Sequence, residues 1–141
     1  MGSRLRAILV WAALAVAVIA PIAIAATSDY LAYRSGIYVA AGFAGIVAMA
    51  LLLLQPLLAA GYLPGLSISS ARRLHRFVGS SIVAAILVHV GGLWLTSPPD
   101  VIDALTFASP TPFSDWGVLA MWGLFAAAML AALRKRLGIR P

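Results

Sequence analysis

The sequence predicts an all-α protein, an integral membrane four-helix bundle with both termini in the cytoplasm, and three observations predict it. The first is composition: of 141 residues, 63% are hydrophobic and only 10% are charged, whereas soluble domains carry about 25% charged residues. The second is the presence of four runs of roughly 20 apolar residues, the length at which a helix crosses the hydrocarbon core of a bilayer. The third is the placement of the charges at the ends of those runs.

The four predicted spans belong to a single transmembrane domain that takes up the whole chain. They cover about residues 5–26, 37–60, 74–95 and 116–133. The segments between them are rich in Gly, Pro, Ser and Asp, residues that end helices. The longest, 96–115, is predicted to be an outer surface loop with a short amphipathic helix that Asp100 caps.

The basic residues predict the orientation. Nine of the ten lie at one set of span ends, while Arg34 and all four acids lie at the other. The positive-inside rule then puts both termini of this multi-pass protein in the cytoplasm. No basic stripe is interleaved with aromatic residues, so nucleic acid is not an expected partner. The expected partner is the lipid membrane. The absence of cysteine excludes thiolate catalysis, iron–sulfur clusters and c-type haem attachment.

Some features of the spans have alternative or structural interpretations. The first span resembles a secretory signal, but its apolar run exceeds the usual 7–15 residues or so of a signal peptide, which favours a retained helix. Pro21 and Pro56 are expected to kink their helices, with Gln55 satisfying a backbone group that Pro56 frees. Gly42 and Gly45 are expected to let helices pack closely.

The third span contains the only two histidines, His75 and His89. They are 14 positions apart, so at about 100° and 1.5 Å per residue both rings emerge on nearly one face, roughly 21 Å apart along the axis. That distance excludes one shared metal ion and direct acid–base cooperation, and fits two separate sites. Imidazole is a good axial ligand for haem iron, and Gly79 would leave room for a porphyrin. Interhelical hydrogen bonding by either ring remains an open alternative.

The segment "LHRFVGSSIVAAILVHVGG" resembles the first haem-binding helix of the ferric reductase-like transmembrane domain superfamily. That group includes iron reductases, NADPH oxidases and the haem-binding membrane subunit of a bacterial methionine sulfoxide reductase system. Its pattern is a His-Arg pair, a glycine soon after and a second histidine, which here are His75, Arg76, Gly79 and His89.

The resemblance implies a b-type cytochrome that carries electrons across the membrane through two stacked haems. His75 would be the iron ligand of the inner haem and His89 that of the outer haem. Arg72, Arg73 and Arg76 would pair with propionates of the inner haem, because arginine binds carboxylates well. The alternative is that these arginines serve only to orient the helix in the membrane. The chain would then be the electron-transfer subunit of an oxidoreductase, without a complete active site of its own.

The sequence departs from this family in its histidine count. Family members supply a second histidine to each haem from a later helix, but this chain has no histidine besides His75 and His89. We therefore expect either that the chain is truncated before its last helices or that a homodimer completes both sites; Met121 and Met129 are candidate substitute ligands. No Gly-rich nucleotide fingerprint is present, so flavin or NAD(P)H would belong to a separate cytoplasmic electron donor protein. The alternative function is a non-redox structural or assembly subunit of a membrane complex.

Overall fold

The computed structural model describes residues 2–134 and Gly138, and its four long helices are the four predicted spans. Each of them is long and apolar enough to cross a membrane. The part of the chain that the structure describes is helical without strands. The helices are α1 (Ser3–Ala26), α2 (Gly36–Ala59), α3 (Ile68–Thr96), α4 (Pro98–Leu105) and α5 (Phe113–Leu133), with a 3-10 helix, Asp29–Tyr33, between α1 and α2. Lys135, Arg136 and Arg140, on which the predicted orientation partly depends, lie outside the described residues.

The largest difference from the predicted bounds is at the start of α3, which begins six residues before the predicted span. The Ser67 side chain accepts a hydrogen bond from the backbone N–H of Ser70, so a proper N-cap starts the helix there. With 29 residues, α3 is about 43 Å long, whereas a hydrocarbon core is about 30 Å thick. The prediction followed the apolar run and therefore left out the arginine-rich first turns.

The core lies between α2 and α3, which make the most extensive contact in the molecule. The loop that joins them contains two glycines with positive φ, Gly61 (67°) and Gly65 (83°), a backbone conformation that glycine adopts without strain. The best-buried side chain is that of Ile82, at 1% exposure. The core cluster consists of Ala48, Leu58, Leu63, Val78 and Ile82.

The N-terminal half of α1 packs near the α2–α3 loop. The indole Nε1 of Trp11 donates a hydrogen bond to the carbonyl oxygen of Pro64, at 3.1 Å. This contact sets Arg4 and Arg6 at the same end of the molecule as the arginines of α3. Arg34 and the acidic residues belong to the segments at the other ends of the helices.

The outer surface of the bundle is apolar. Large hydrophobic side chains along α1 and α5 are exposed, among them Ile24 (71%), Trp116 (73%) and Met129 (61%). Among the described residues, no polar or charged residue is fully buried. An exterior of this kind is suited to lipid rather than to water, so the fold supports a multi-pass membrane protein.

The predicted helix of the 96–115 segment is present as α4, but the prediction that Asp100 caps it was wrong. The N-cap is Ser97, and Asp100 lies inside the first turn. The reason is that Pro98 and Pro99 occupy the first helical positions, where proline's fixed φ favours a helix start. Val101 is buried, and α4 packs against the neighbouring ends of α3 and α5.

Candidate functional site

The His89 ring is hydrogen-bonded to α2. Its Nδ1 lies 2.7 Å from the carbonyl oxygen of Ala41. A carbonyl oxygen only accepts, so the Nδ1 atom carries the proton and donates it. The ring is partly buried, in an otherwise apolar stretch of both helices.

The His75 ring makes the corresponding contact near the other end of α3. Its Nδ1 donates to the carbonyl oxygen of Gln55 at 3.3 Å, and the Gln55 side-chain Nε2 donates in return to the His75 carbonyl oxygen at 3.3 Å. The sequence predicted that Gln55 would satisfy a backbone group freed by Pro56; this was wrong, because its amide reaches across to α3. The Gln55 Oε1 atom is buried and has no hydrogen-bond partner among the described residues.

The His75–Gln55 and His89–Ala41 contacts have the same spacing on both helices. Ala41 and Gln55 are 14 positions apart in α2, as are His75 and His89 in α3. Two antiparallel helices that pack along their length bring equally spaced residues opposite each other, so both rings meet a carbonyl of α2. This confirms the prediction that the histidines share one face of α3, with buried Ile82 on the stripe between them.

Glycines make room for both contacts. A Cβ at Gly45 would lie 2.7 Å from His89 Nδ1, and a Cβ at Gly79 would lie 2.9 Å from Gln55 Nε2. Gly45 therefore permits close packing, as predicted, but Gly42 does not serve this purpose, because nothing lies within 4 Å of a Cβ there. The space beside Gly79, which the sequence suggested for a porphyrin, holds the Gln55 amide.

A basic groove of about 670 Å³ opens beside His75. Its floor includes Leu58, which is only 2% exposed. Among the described residues, four arginines line it, three from the first turns of α3 and Arg134 from the end of α5. The described residues of the lining are Leu58, Ala59, Ser69, Arg72, Arg73, His75, Arg76 and Arg134.

The structure thus brings some of the predicted site residues together and separates others. Arg73, Arg76 and His75 share the basic groove, whereas His89 lies farther along α3 and Gly79 faces Gln55. Of the two methionines considered as substitute ligands, Met121 is buried at 9% exposure and Met129 is exposed at 61%. Within the described residues, no three His, Cys, Asp or Glu side chains lie close enough to hold a metal ion.

Sequence reasoning missed two residues of this site. Gln55 pairs with His75 in both directions, and Arg134 completes the basic groove. A polar amide in an apolar span was a usable signal for Gln55. Arg134 follows an apolar run and looked like a topology signal, because its proximity to α3 depends on how α5 packs.

For a neutral ring, the tautomer of each histidine follows from its hydrogen bond. A neutral imidazole has one protonated nitrogen, and Nδ1 holds that proton in both His75 and His89. The lone pair therefore lies on Nε2, the nitrogen left free to accept a hydrogen bond or bind a metal. Backbone carbonyls that orient a ring in this way are common behind metal-bound histidines.

Comparison of the chain with protein-family models, with curated proteins and with solved structures gives no significant match. The described residues by themselves define a helical bundle with an apolar exterior, two histidines oriented by the neighbouring helix and a basic groove.

Proposed function

We propose that this protein binds haem b through His75 and His89 and transfers electrons across a membrane, as the ferric reductase-like group does. The observation that carries the proposal is the pair of Nδ1 hydrogen bonds to Gln55 and Ala41. They fix two imidazoles at two levels of one helix face and leave each Nε2 with its lone pair. When bound, haem iron supplies reversible one-electron chemistry.

The residues present fit a haem at the His75 level. The adjoining groove, at about 670 Å³, lies within the range of roughly 300–1,000 Å³ typical of ligand pockets. Arg73 and Arg76 on its lining are suited to the two propionates, because guanidinium groups bind carboxylates with paired hydrogen bonds. At the His89 level, the feature that supports haem binding is the lone pair on Nε2.

In this proposal a partner supplies the second ligand of each haem. Both histidines of the chain are already assigned, so a second copy or another membrane protein would bring the other pair. A cytoplasmic protein carrying flavin or NAD(P)H would donate the electrons. The exposed apolar faces of α1 and α5 leave room for helices of a partner.

Haem reconstitution of histidine variants tests the function. His75→Leu and His89→Leu should each lose about half of the Soret absorbance of the purified protein, and the double variant all of it, since each residue serves one site. Leu87→Ala is the matched control, because that side chain is exposed on the same helix as the histidines. A wild-type protein that remains haem-free after haem supplementation contradicts the proposal, as does a double variant with undiminished absorbance.

A second candidate function, a non-redox structural or assembly subunit, is favoured by the same hydrogen bonds. In that case the histidines only tie α3 to α2. Glutamine keeps an N–H donor but is a poor haem ligand, so His75→Gln and His89→Gln separate the two functions. If the protein is structural, both variants keep the fold and any partner complex; if it is a cytochrome, they keep the fold and lose the haem.

The proposed orientation places both termini in the cytoplasm of a bacterial cell, with the protein in the inner membrane. It is supported by the arginines gathered at one end of the bundle. The chain has no cysteine, so the single thiol in Ser3→Cys or in Ala108→Cys reports which side of the membrane that position faces. In intact spheroplasts a membrane-impermeant maleimide should label Ala108→Cys and spare Ser3→Cys. The opposite pattern reverses the orientation.

A further inference from the structure

The basic groove beside His75 has the chemistry of a binding site for an anionic amphiphile. Its lining combines an exposed apolar side chain, that of Ala59, with four exposed arginines. Guanidinium groups bind phosphate with paired, charge-assisted hydrogen bonds, and the Ser69 hydroxyl on the lining can add another. A water-soluble anion would bind the arginines but would gain nothing from the apolar part of the lining.

The charge of the groove is not balanced by the described part of the chain. Asp29, Asp100, Asp103 and Asp115 are the only acids in the sequence, and all belong to segments at the opposite ends of the helices. Four guanidinium charges also exceed the two propionates of one haem. Arg72 and Arg134 are therefore available to an anion from outside the chain whether or not His75 holds iron.

The position of the groove matches the headgroup level of a bilayer. Its arginines lie in the first turns of α3, before the apolar part of the helix, and directly after α5. Clusters of about four or more Lys and Arg at such positions bind anionic lipids.

We propose that this groove is a binding site for the phosphate headgroup of an anionic phospholipid, with Arg72 and Arg134 as the anion ligands and the exposed Ala59 contacting the start of the acyl chains. The lipid is a structural ligand that bridges α3 and α5. The inference does not rest on the proposed electron-transfer function.

Native mass spectrometry of the full-length protein tests the site. Protein is released from vesicles of phosphatidylcholine with phosphatidylglycerol, and the retained lipid is counted. Wild type should retain phosphatidylglycerol selectively. Arg72→Gln/Arg134→Gln should bind it at least about tenfold more weakly, the loss expected for one or more charge-assisted hydrogen bonds.

Arg4→Gln/Arg6→Gln is the matched control, since it removes the same charge from the same end of the bundle without touching the groove lining. This control should retain the lipid as wild type does. An equal loss in both double variants overturns the proposal in favour of diffuse attraction, and so does retention without selectivity. Circular dichroism verifies that both variants keep the helical content of wild type.

A separate arm distinguishes the source of the phosphate. Inorganic phosphate is added to protein in phosphatidylcholine vesicles with phosphatidylglycerol. Retention of the lipid supports a headgroup site, whereas displacement at millimolar phosphate overturns it in favour of a free anion. The Soret absorbance of Arg72→Gln/Arg134→Gln reports on haem independently, so failure of one proposal is distinguishable from failure of the other.

Discussion

The Nδ1 atom of His89 lies 2.7 Å from the carbonyl oxygen of Ala41, which ties the C-terminal half of α3 to the first turns of α2. The His75–Gln55 contact is longer, at 3.3 Å. Interhelical hydrogen bonds in membranes contribute about 0.6 kcal/mol on average and roughly 1.7 at most. Both contacts therefore orient the rings more than they stabilise the bundle.

The first prediction concerns those two hydrogen bonds. His89→Leu should lower the free energy of unfolding by about 1–1.5 kcal/mol and His75→Leu by less, roughly 0.5, because its bond is longer. Unfolding in mixed micelles, followed by circular dichroism, measures both. A loss of several kcal/mol in the haem-free protein would mean that the rings hold the core together.

The second prediction concerns Gly45, against which the His89 ring packs. Gly45→Ala places a Cβ 2.7 Å from Nδ1 and 2.8 Å from Cε1 of His89, so the ring must move and its bond to Ala41 is lost. Overpacking of this kind costs about 1–3 kcal/mol. The change should also weaken haem binding at the His89 level without altering either histidine.

Gly42→Ala is the control for this prediction. It lies on the same helix with nothing within 4 Å of the new Cβ, and alanine is favoured over glycine in a helix by about 1 kcal/mol. The control should therefore be neutral or stabilising. Equal thermal stability of the two variants would show that His89 does not pack on Gly45.

The third prediction uses two adjacent glycines of α3. Gly92→Ala brings its Cβ to 2.7 Å from the Ala41 Cβ, while Gly91→Ala meets nothing within 4 Å. A short methyl on a rigid helix cannot rotate away, so the two backbones must separate. Gly92→Ala should lower the unfolding free energy by about 1–3 kcal/mol and Gly91→Ala should not. The difference between the variants is the quantity to measure, and a difference near zero rules out the close α2–α3 approach.

The fourth prediction concerns the unpaired Oε1 of Gln55. Gln55→Leu removes one hydrogen bond to His75 and also one buried acceptor without a partner. These effects oppose each other, so the unfolding free energy should change by less than about 1 kcal/mol. Gln55→Glu should destabilise by more, roughly 2 kcal/mol or above, because it introduces a carboxyl group into the same place and removes the donor. A loss of several kcal/mol for Gln55→Leu would contradict this balance of effects.

The fifth prediction tests how α1 is held. Trp11→Phe keeps an aromatic ring and removes the N–H that donates to the Pro64 carbonyl. The expected cost is about 1 kcal/mol, with faster proteolysis of α1 in detergent. Trp94→Phe, on the exposed face of α3, is the control and should behave as wild type.

The apolar pattern of the sequence was enough to predict the four long helices, since a bilayer-length run of apolar residues has few other stable conformations. Periodicity was enough to predict that His75 and His89 share a face, because helix geometry alone sets their angle. The bounds of α3 and α4 were predicted less well. Capping by Ser67 and the helix-starting prolines before Asp100 are local effects that hydropathy does not report.

Only the tertiary structure decided what the histidines face. The register of α2 against α3 brings the carbonyls of Ala41 and Gln55 to the two rings and places the Gln55 amide beside Gly79. Packing of α5 adds Arg134 to the arginines of α3. Contacts between residues far apart in the chain depend on which helix faces meet and at what offset. The sequence by itself determined the helices and the two-histidine stripe, and the packing of α2, α3 and α5 decided the environment of each imidazole.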